Sequence, residues 1–168
     1  MKTLFIILIS ICLVNCERKT SNIVPEIRYF DKQNLSVISL ENINNFWEDD
    51  SLVSSDIYFD FCSGYIDGIG LRNDNIQGIS IAVFESKEKA LECMEGRIKT
   101  VSCVIKRGST DDINDIWWYS DCSPNVVFKN KYNTIIEVYH SHNNYNEIEP
   151  ILLRVANDLA NIIDSLSK

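Results

Sequence analysis

Cysteine and histidine are where chemistry would be sought first in this sequence. The two histidines stand together in His140-Ser141-His142. On a strand, residues i and i+2 share a face, so both imidazoles could approach one metal ion. Such a site would need two further ligands. Cys122, Asp121 or Glu147 could supply them, but no spacing fixes them. The following Asn143-Asn144-Tyr145-Asn146 reads as a polar loop that leaves the histidines exposed. A thiol–imidazole pair of Cys122 and His140 would be a nucleophile in principle, yet no third group is in place to orient it. There is no phosphate-binding glycine loop, no CxxC, no HExxH and no GxSxG. Asp67 and Asp74 do not sit in a calcium loop. The expectation is therefore no cofactor and no metal, with His140 and His142 the weak candidates.

Trp117-Trp118-Tyr119 is a candidate of another kind. Neighbouring residues on a strand face opposite ways, so one tryptophan can enter a core while the other must be covered or exposed. An exposed indole beside Asp111, Asp112, Asp115 and Asp121 would make a platform for a sugar or a protein partner. Coverage by a flanking loop, or by the segment 41–55, is the alternative.

Four cysteines fall well inside the chain: Cys62, Cys93, Cys103 and Cys122. An even number suggests disulfides if the chain is exported. One expected helix over 87–107 would separate Cys93 and Cys103 by ~15 Å along its axis, too far for a bond. The combinations 62–93 with 103–122, 62–103 with 93–122, and 62–122 alone remain open.

The other two cysteines, Cys12 and Cys16, lie in a segment of different character. Met1-Lys2-Thr3 is a short positive start, and Leu4 to Val14 is apolar except for Ser10. This run is well short of the ~20 residues that span a bilayer and suits the hydrophobic region of an export signal. It ends in Leu13-Val14-Asn15-Cys16, which resembles the lipobox of bacterial lipoproteins, with Asn15 standing where Gly, Ala or Ser is usual. The resemblance implies that residues 1–15 are a signal peptide and that Cys16 carries a thioether-linked diacylglycerol. Ordinary cleavage after Cys16, giving a secreted protein, is the alternative. Residues 17–27 are polar up to Pro25 and read as a tether.

Charge agrees with a hydrophobic anchor. The chain has 24 acidic and 16 basic residues for a net charge of −8, and Lys2 is the only charge in the first fifteen residues. An acidic domain repels polyphosphate and anionic lipid, which argues against nucleic acid as a partner. Membrane attachment would then rest on the lipid.

The elements that must position these residues follow from periodicity. Residues 41–55 could form a short helix presenting Ile43, Phe46 and Trp47. Residues 56–61 alternate, with Ile57, Phe59 and Phe61 on one side, and predict a half-buried strand. Tyr65 to Leu71 predicts another, and 76–84, apolar on both faces, a central one. Ser86 is a suitable N-cap for the helix over 87–107, which the Lys106-Arg107-Gly108 sequence would close. Its weak stretch is Thr100 to Ile105, whose β-branched residues also suit a strand. Residues 116–119, 125–129 and 133–140 predict strands, the last two a hairpin around Asn130-Lys131-Tyr132. Ile148, Leu152, Val155, Leu159, Ile162 and Leu166 predict an amphipathic helix over 147–166, with Pro150 in its first turn. The expected fold is a single α+β domain over 28–168, a largely antiparallel sheet with both helices on one face. The expected role is a lipid-anchored, non-enzymatic binding domain for an envelope protein or small ligand, the alternative a small secreted enzyme or metal protein using His140, His142 and Cys122.

Overall fold

The computed structural model describes residues 28–38, 53–55, 57, 59–72, 77–100, 105–109, 115–120, 125–141 and 145–168. The expected signal peptide, Cys16, the tether, Ile43, Phe46, Trp47, Cys103, Cys122 and His142 lie outside the described residues. Within them the strands are β1 (Val53–Ser55), β2 (Tyr65–Arg72), β3 (Gln77–Phe84), β4 (Ile105–Ser109), β5 (Asp115–Ser120), β6 (Asn125–Lys131) and β7 (Thr134–His140). Helix α1 spans Lys87–Thr100 and α2 spans Tyr145–Leu166, and a short 3-10 helix covers Lys32–Val37.

Among the described residues these seven strands form one sheet in the order β1-β2-β3-β7-β6-β5-β4, and every neighbouring pair is antiparallel. Two meanders therefore meet at the β3–β7 seam. The chain leaves β3, runs through α1, and enters the second meander from its far edge. The doubly apolar pattern of 76–84 has its explanation here, because β3 is interior to the sheet and covered on both faces.

Ile79, Ile81 and Val83 join Val127, Ile136 and Val138 in one core, against Leu152, Val155, Leu159 and Ile163 of α2. Ala82 and Phe84 join Val126, Phe128 and Ile135 in a second core, against Ala90, Met94 and Ile98 of α1. The helices thus lie on opposite faces, which corrects the expectation of one face. The antiparallel α+β character is as expected.

Ser86 caps α1 as its sequence predicts: its carbonyl accepts from Ala90 N at 3.1 Å and its hydroxyl from Lys89 N at 3.3 Å. The helix does not reach 107. It ends at Thr100, and Ile105 is already paired with Ser120 in the β4–β5 ladder. Lys106, Arg107 and Gly108 are strand residues opposite Tyr119, Trp118 and Trp117, not a helix terminus. From Ile105 on, pairing with β5 prevails over the helical spacing that precedes it.

In α2 the fully buried residues are Leu152, Val155, Ala156, Leu159 and Ile163, whereas Ile162 and Leu166 are only half-buried. A 3.6-residue turn drifts relative to an alternating 4, 3 step, so the buried stripe passes from Ile162 to Ile163 by the last turns. Pro150 is the sixth residue of the helix, beyond the first turn, and the bond it cannot donate is one to the carbonyl of Asn146.

Among the described residues of the predicted strand over 56–61, namely 57 and 59–61, no strand is formed. Residues 59–61 are turn, closed by Cys62 N donating to Phe59 O at 2.9 Å. Phe59 is fully buried while Phe61 is 67% exposed, so the alternating phenylalanines do not share a face. Phe59 meets Phe84 edge-on, with ring centroids 6.5 Å apart. The turn continues to Gly64, whose φ of +79° favours glycine.

Candidate functional site

The turn after Phe59 delivers Cys62 to the first helix. Cys62 and Cys93 form a disulfide with their Cα atoms 5.6 Å apart, within the range that such a bond requires. Cys93 is on the buried face of α1, one residue before Met94. Of the pairings open from sequence, the structure selects 62–93 and excludes 62–103, 93–122 and 62–122.

The other predicted residues are distributed as follows. His140 ends β7, half-buried and opposite both Gln77 and Asn125, and its carbonyl accepts from Asn125 Nδ2 at 3.3 Å. Among the described residues no three His, Cys, Asp or Glu side chains are grouped so as to hold a metal ion. Trp117 and Trp118 are in β5, in register with Lys129 and Phe128 of β6 respectively. The register puts the two positions on opposite faces, as the pleat demands. Their side chains are outside the described residues. β5 lies one strand inside the β4 edge.

Sequence reasoning missed three polar groupings. The first is an ion pair between α1 and β7: Arg97 Nη2 donates to Glu137 Oε1 at 3.2 Å. Glu137 is buried on the α1 face, and that burial raises its pKa, with Arg97 pulling it back down. The Arg97 guanidinium also lies 5.7 Å from the centroid of the Phe59 ring, so it links helix, strand and disulfide turn. Replacing Arg97 with Met should cost on the order of 2–4 kcal/mol at neutral pH, because it leaves Glu137 buried without its counter-charge. The sign of the pH effect follows from the raised pKa. The folded state takes up a proton more readily than the unfolded, so Glu137 opposes folding once pH rises through its folded pKa. Below the ordinary value of 4.5 it does not. The loss in R97M should therefore shrink between neutral pH and about pH 5 in urea unfolding. A pH-independent loss would assign the effect to the Phe59 contact instead.

The second grouping joins the β6–β7 turn to the end of α2. Tyr132 has a φ of 53°, uncommon for a non-glycine residue. Its hydroxyl donates a short hydrogen bond to Asp164 Oδ1. Lys131 Nζ lies 3.5 Å from the same oxygen and Arg28 Nη1 3.3 Å. Burial and the Asp164 contact push the Tyr132 phenol up to about 12, and the same hydrogen bond, with the two cations, holds Asp164 below its usual range. Two residues before Lys131, Lys129 Nζ donates to Asn157 Oδ1 at 2.7 Å.

The third is Asn133, beside Tyr132. Its Oδ1 accepts from Phe30 N at 2.8 Å. Its Nδ2 donates to Phe30 O at 3.1 Å and to Phe84 O at 2.9 Å. Its own carbonyl accepts from Phe84 N at 2.9 Å. Tyr29 and Lys168 exchange a pair of backbone hydrogen bonds, 2.9 and 3.2 Å, and Asn34 Nδ2 donates to Leu166 O at 2.9 Å. The start of the domain is thus fastened at one end of the sheet, between the β6–β7 turn and the last turn of α2. Asparagine in a turn was visible in the sequence. Its partners are 103 and 49 residues away and were not.

No helix of the described residues is long and apolar enough to cross a membrane. Comparison with known families, characterised proteins and solved structures gave no match.

Proposed function

We propose that this chain is an exported lipoprotein, anchored through Cys16, whose folded domain is a non-enzymatic binding unit. The observation that carries the reading is the Cys62–Cys93 disulfide. Such bonds persist in oxidising compartments and are rare where thiols are kept reduced. That supports the export reading of residues 1–16 from a separate part of the molecule.

The fastening at Tyr29 and Phe30 supports the tethered arrangement. Residues 17–27 separate Cys16 from Arg28, and eleven residues reach at most about 40 Å when fully extended. A partner would have to lie within that distance of the bilayer. β5 bears Trp117 and Trp118, beside the strip of β6 and β7 on which the helices are centred. It is the strand we assign to the partner, an envelope protein or a small ligand with an apolar face.

The test is mass spectrometry of the protein taken from its native membrane, paired with fractionation of a Cys16→Ala variant. The expected mature chain begins at Cys16 and carries acyl groups, and C16A leaves the membrane fraction. A mature N-terminus elsewhere, without lipid, would overturn the anchor. A protein retaining residues 1–15 in the cytoplasm would overturn export.

A further inference from the structure

Among the described residues four large apolar side chains are exposed: Tyr29, Val37, Val53 and Phe61. The two aromatic ones stand at the same end of the sheet. Tyr65 is paired with Phe84 and Val83 with Thr134, so the Phe59–Gly64 turn, the end of β3 and the β6–β7 turn lie side by side. Asn133 ties Phe30, the neighbour of Tyr29, to Phe84. Phe84 in turn meets Phe59, two residues before Phe61. Val53 is opposite Arg72, at the other end of β2.

Phe61 is displayed on a fixed support. Its neighbour Cys62 is bonded to Cys93, Cys62 N donates to Phe59 O, and Glu85 N donates to Gly64 O at 2.8 Å. The exposed charges at this end are of both signs. Arg28, Asp31 and Lys32 are exposed beside Tyr29, and Lys168 is bonded to Tyr29 through the backbone. Asp60 and Asp67 are exposed near Tyr65, where burial and these two charges raise the phenol pKa. The tether also ends here. Residues 17–27 join Cys16 to Arg28 and reach at most about 40 Å. A domain of about 140 residues is itself roughly 35–40 Å across. With an anchor at Cys16, the opposite end of the sheet would meet the bilayer only if the tether were drawn straight along the whole domain.

We propose that this end of the domain, with Phe61 and Tyr29 foremost, docks on the surface of a zwitterionic phospholipid bilayer. The proposal rests on the Cys16 anchor. Aromatic side chains favour the headgroup boundary, and a surface bearing charges of both signs suits headgroups that do the same. The anchor makes the contact intramolecular, so two aromatics suffice where they would not hold a free protein.

The test is photo-crosslinking of the acylated protein in phosphatidylcholine vesicles doped with a phospholipid that carries a diazirine on its headgroup. Labelling should concentrate on residues 28–32 and 59–64 and spare Val53, Leu71 and Arg72. Phe61→Ser should lower labelling of 59–64 roughly fivefold, the factor that corresponds to losing about 1 kcal/mol of apolar burial. Its urea midpoint and its Cys62–Cys93 bond should not change, and Phe61→Trp should retain the labelling. Even labelling of both ends, or labelling that F61S does not alter, in protein that stays acylated and vesicle-bound, would overturn docking and leave the anchor standing. If 59–64 is unlabelled in vesicles yet protected from hydrogen exchange in the native envelope, the face belongs to a protein, another copy included, and bilayer docking is wrong. Protein that carries no acyl chain and does not sediment with vesicles would sink the anchor, and the docking with it.

Discussion

Replacing Asn133 with alanine should destabilise the domain by on the order of 3–6 kcal/mol, the largest effect expected of any single polar substitution here. The side chain satisfies Phe30 N, Phe30 O and Phe84 O at once, in surroundings where Phe30, Phe84 and Asn133 are all buried. Alanine strands all three partners, and each buried group left unsatisfied costs about 1–3 kcal/mol. The loss is bounded because the segment around Phe30 can detach and rehydrate. Detachment would itself be measurable, as faster hydrogen exchange at Phe30 and easier proteolysis near residue 30. Asn133→Asp is the discriminating companion. It keeps the acceptor for Phe30 N but turns a carboxylate oxygen toward two carbonyls where an N–H₂ donor is required. It should be no more stable than N133A at neutral pH. A loss below about 1 kcal/mol in both variants, read from urea unfolding, would show that the clamp contributes little and that water replaces it.

The second large effect is expected on removing the Cys62–Cys93 disulfide. The bond closes a loop with a sequence separation of 31 residues. Chain-entropy arguments give roughly 3–4 kcal/mol for a loop of that size. The paired variant Cys62→Ala with Cys93→Ala should lose about that much. The structural response should be local first, because the bond ties the Phe59–Gly64 turn to the buried face of α1. Phe59 is held there by Phe84, by the Arg97 guanidinium and by this tie. Without it, Phe59 should become more accessible and amides of α1 should exchange faster than those of α2. Reduction of the wild-type protein should reproduce both changes. An unfolding midpoint that does not move on reduction would mean that the noncovalent contacts of the turn already hold it as tightly as the bond does.

These two ties have a common effect on the molecule. Asn133 fastens the start of the domain to the central hairpin, and the disulfide fastens the turn before β2 to α1. Both act between segments far apart in sequence. The tether of a lipid-anchored protein would pull on the Arg28–Phe30 segment, and that segment is held by Asn133, by Lys168 and by the Arg28–Asp164 pair. The exposed pair adds little on its own, as surface ion pairs do. The buried asparagine bonds are the ones that resist.

The elements legible in the sequence were those whose evidence is local. The alternation of 76–84 with both faces apolar marks an interior strand, because only a strand covered on two sides tolerates Ile79, Ile81 and Val83 opposite Ala82 and Phe84. Ser86 followed by an apolar period marks a helix start, and the stripe from Ile148 to Leu166 marks a helix. Where two local signals competed, as between Thr100 and Ile105, spacing alone extended α1 too far. The β4–β5 ladder settles the boundary with hydrogen bonds to residues some fifteen positions away. The pattern of 56–61 failed for a related reason. Alternation states that residues can share a face, but Phe59 gains more from Phe84 and Met94 in the α1 core, and the turn that takes it there exposes Phe61.

What the sequence by itself determined is therefore the α+β class, the interior character of β3, the β6–β7 hairpin and the two helices, all set by periodicities of a few residues. Only the tertiary structure decided which face each helix covers, which cysteine Cys62 meets, and that Asn133, Arg97 and Glu137 hold separate segments together. Those outcomes depend on the side of the sheet that each connection crosses and on contacts 31 to 103 residues apart. No short window of sequence contains both partners of such a contact.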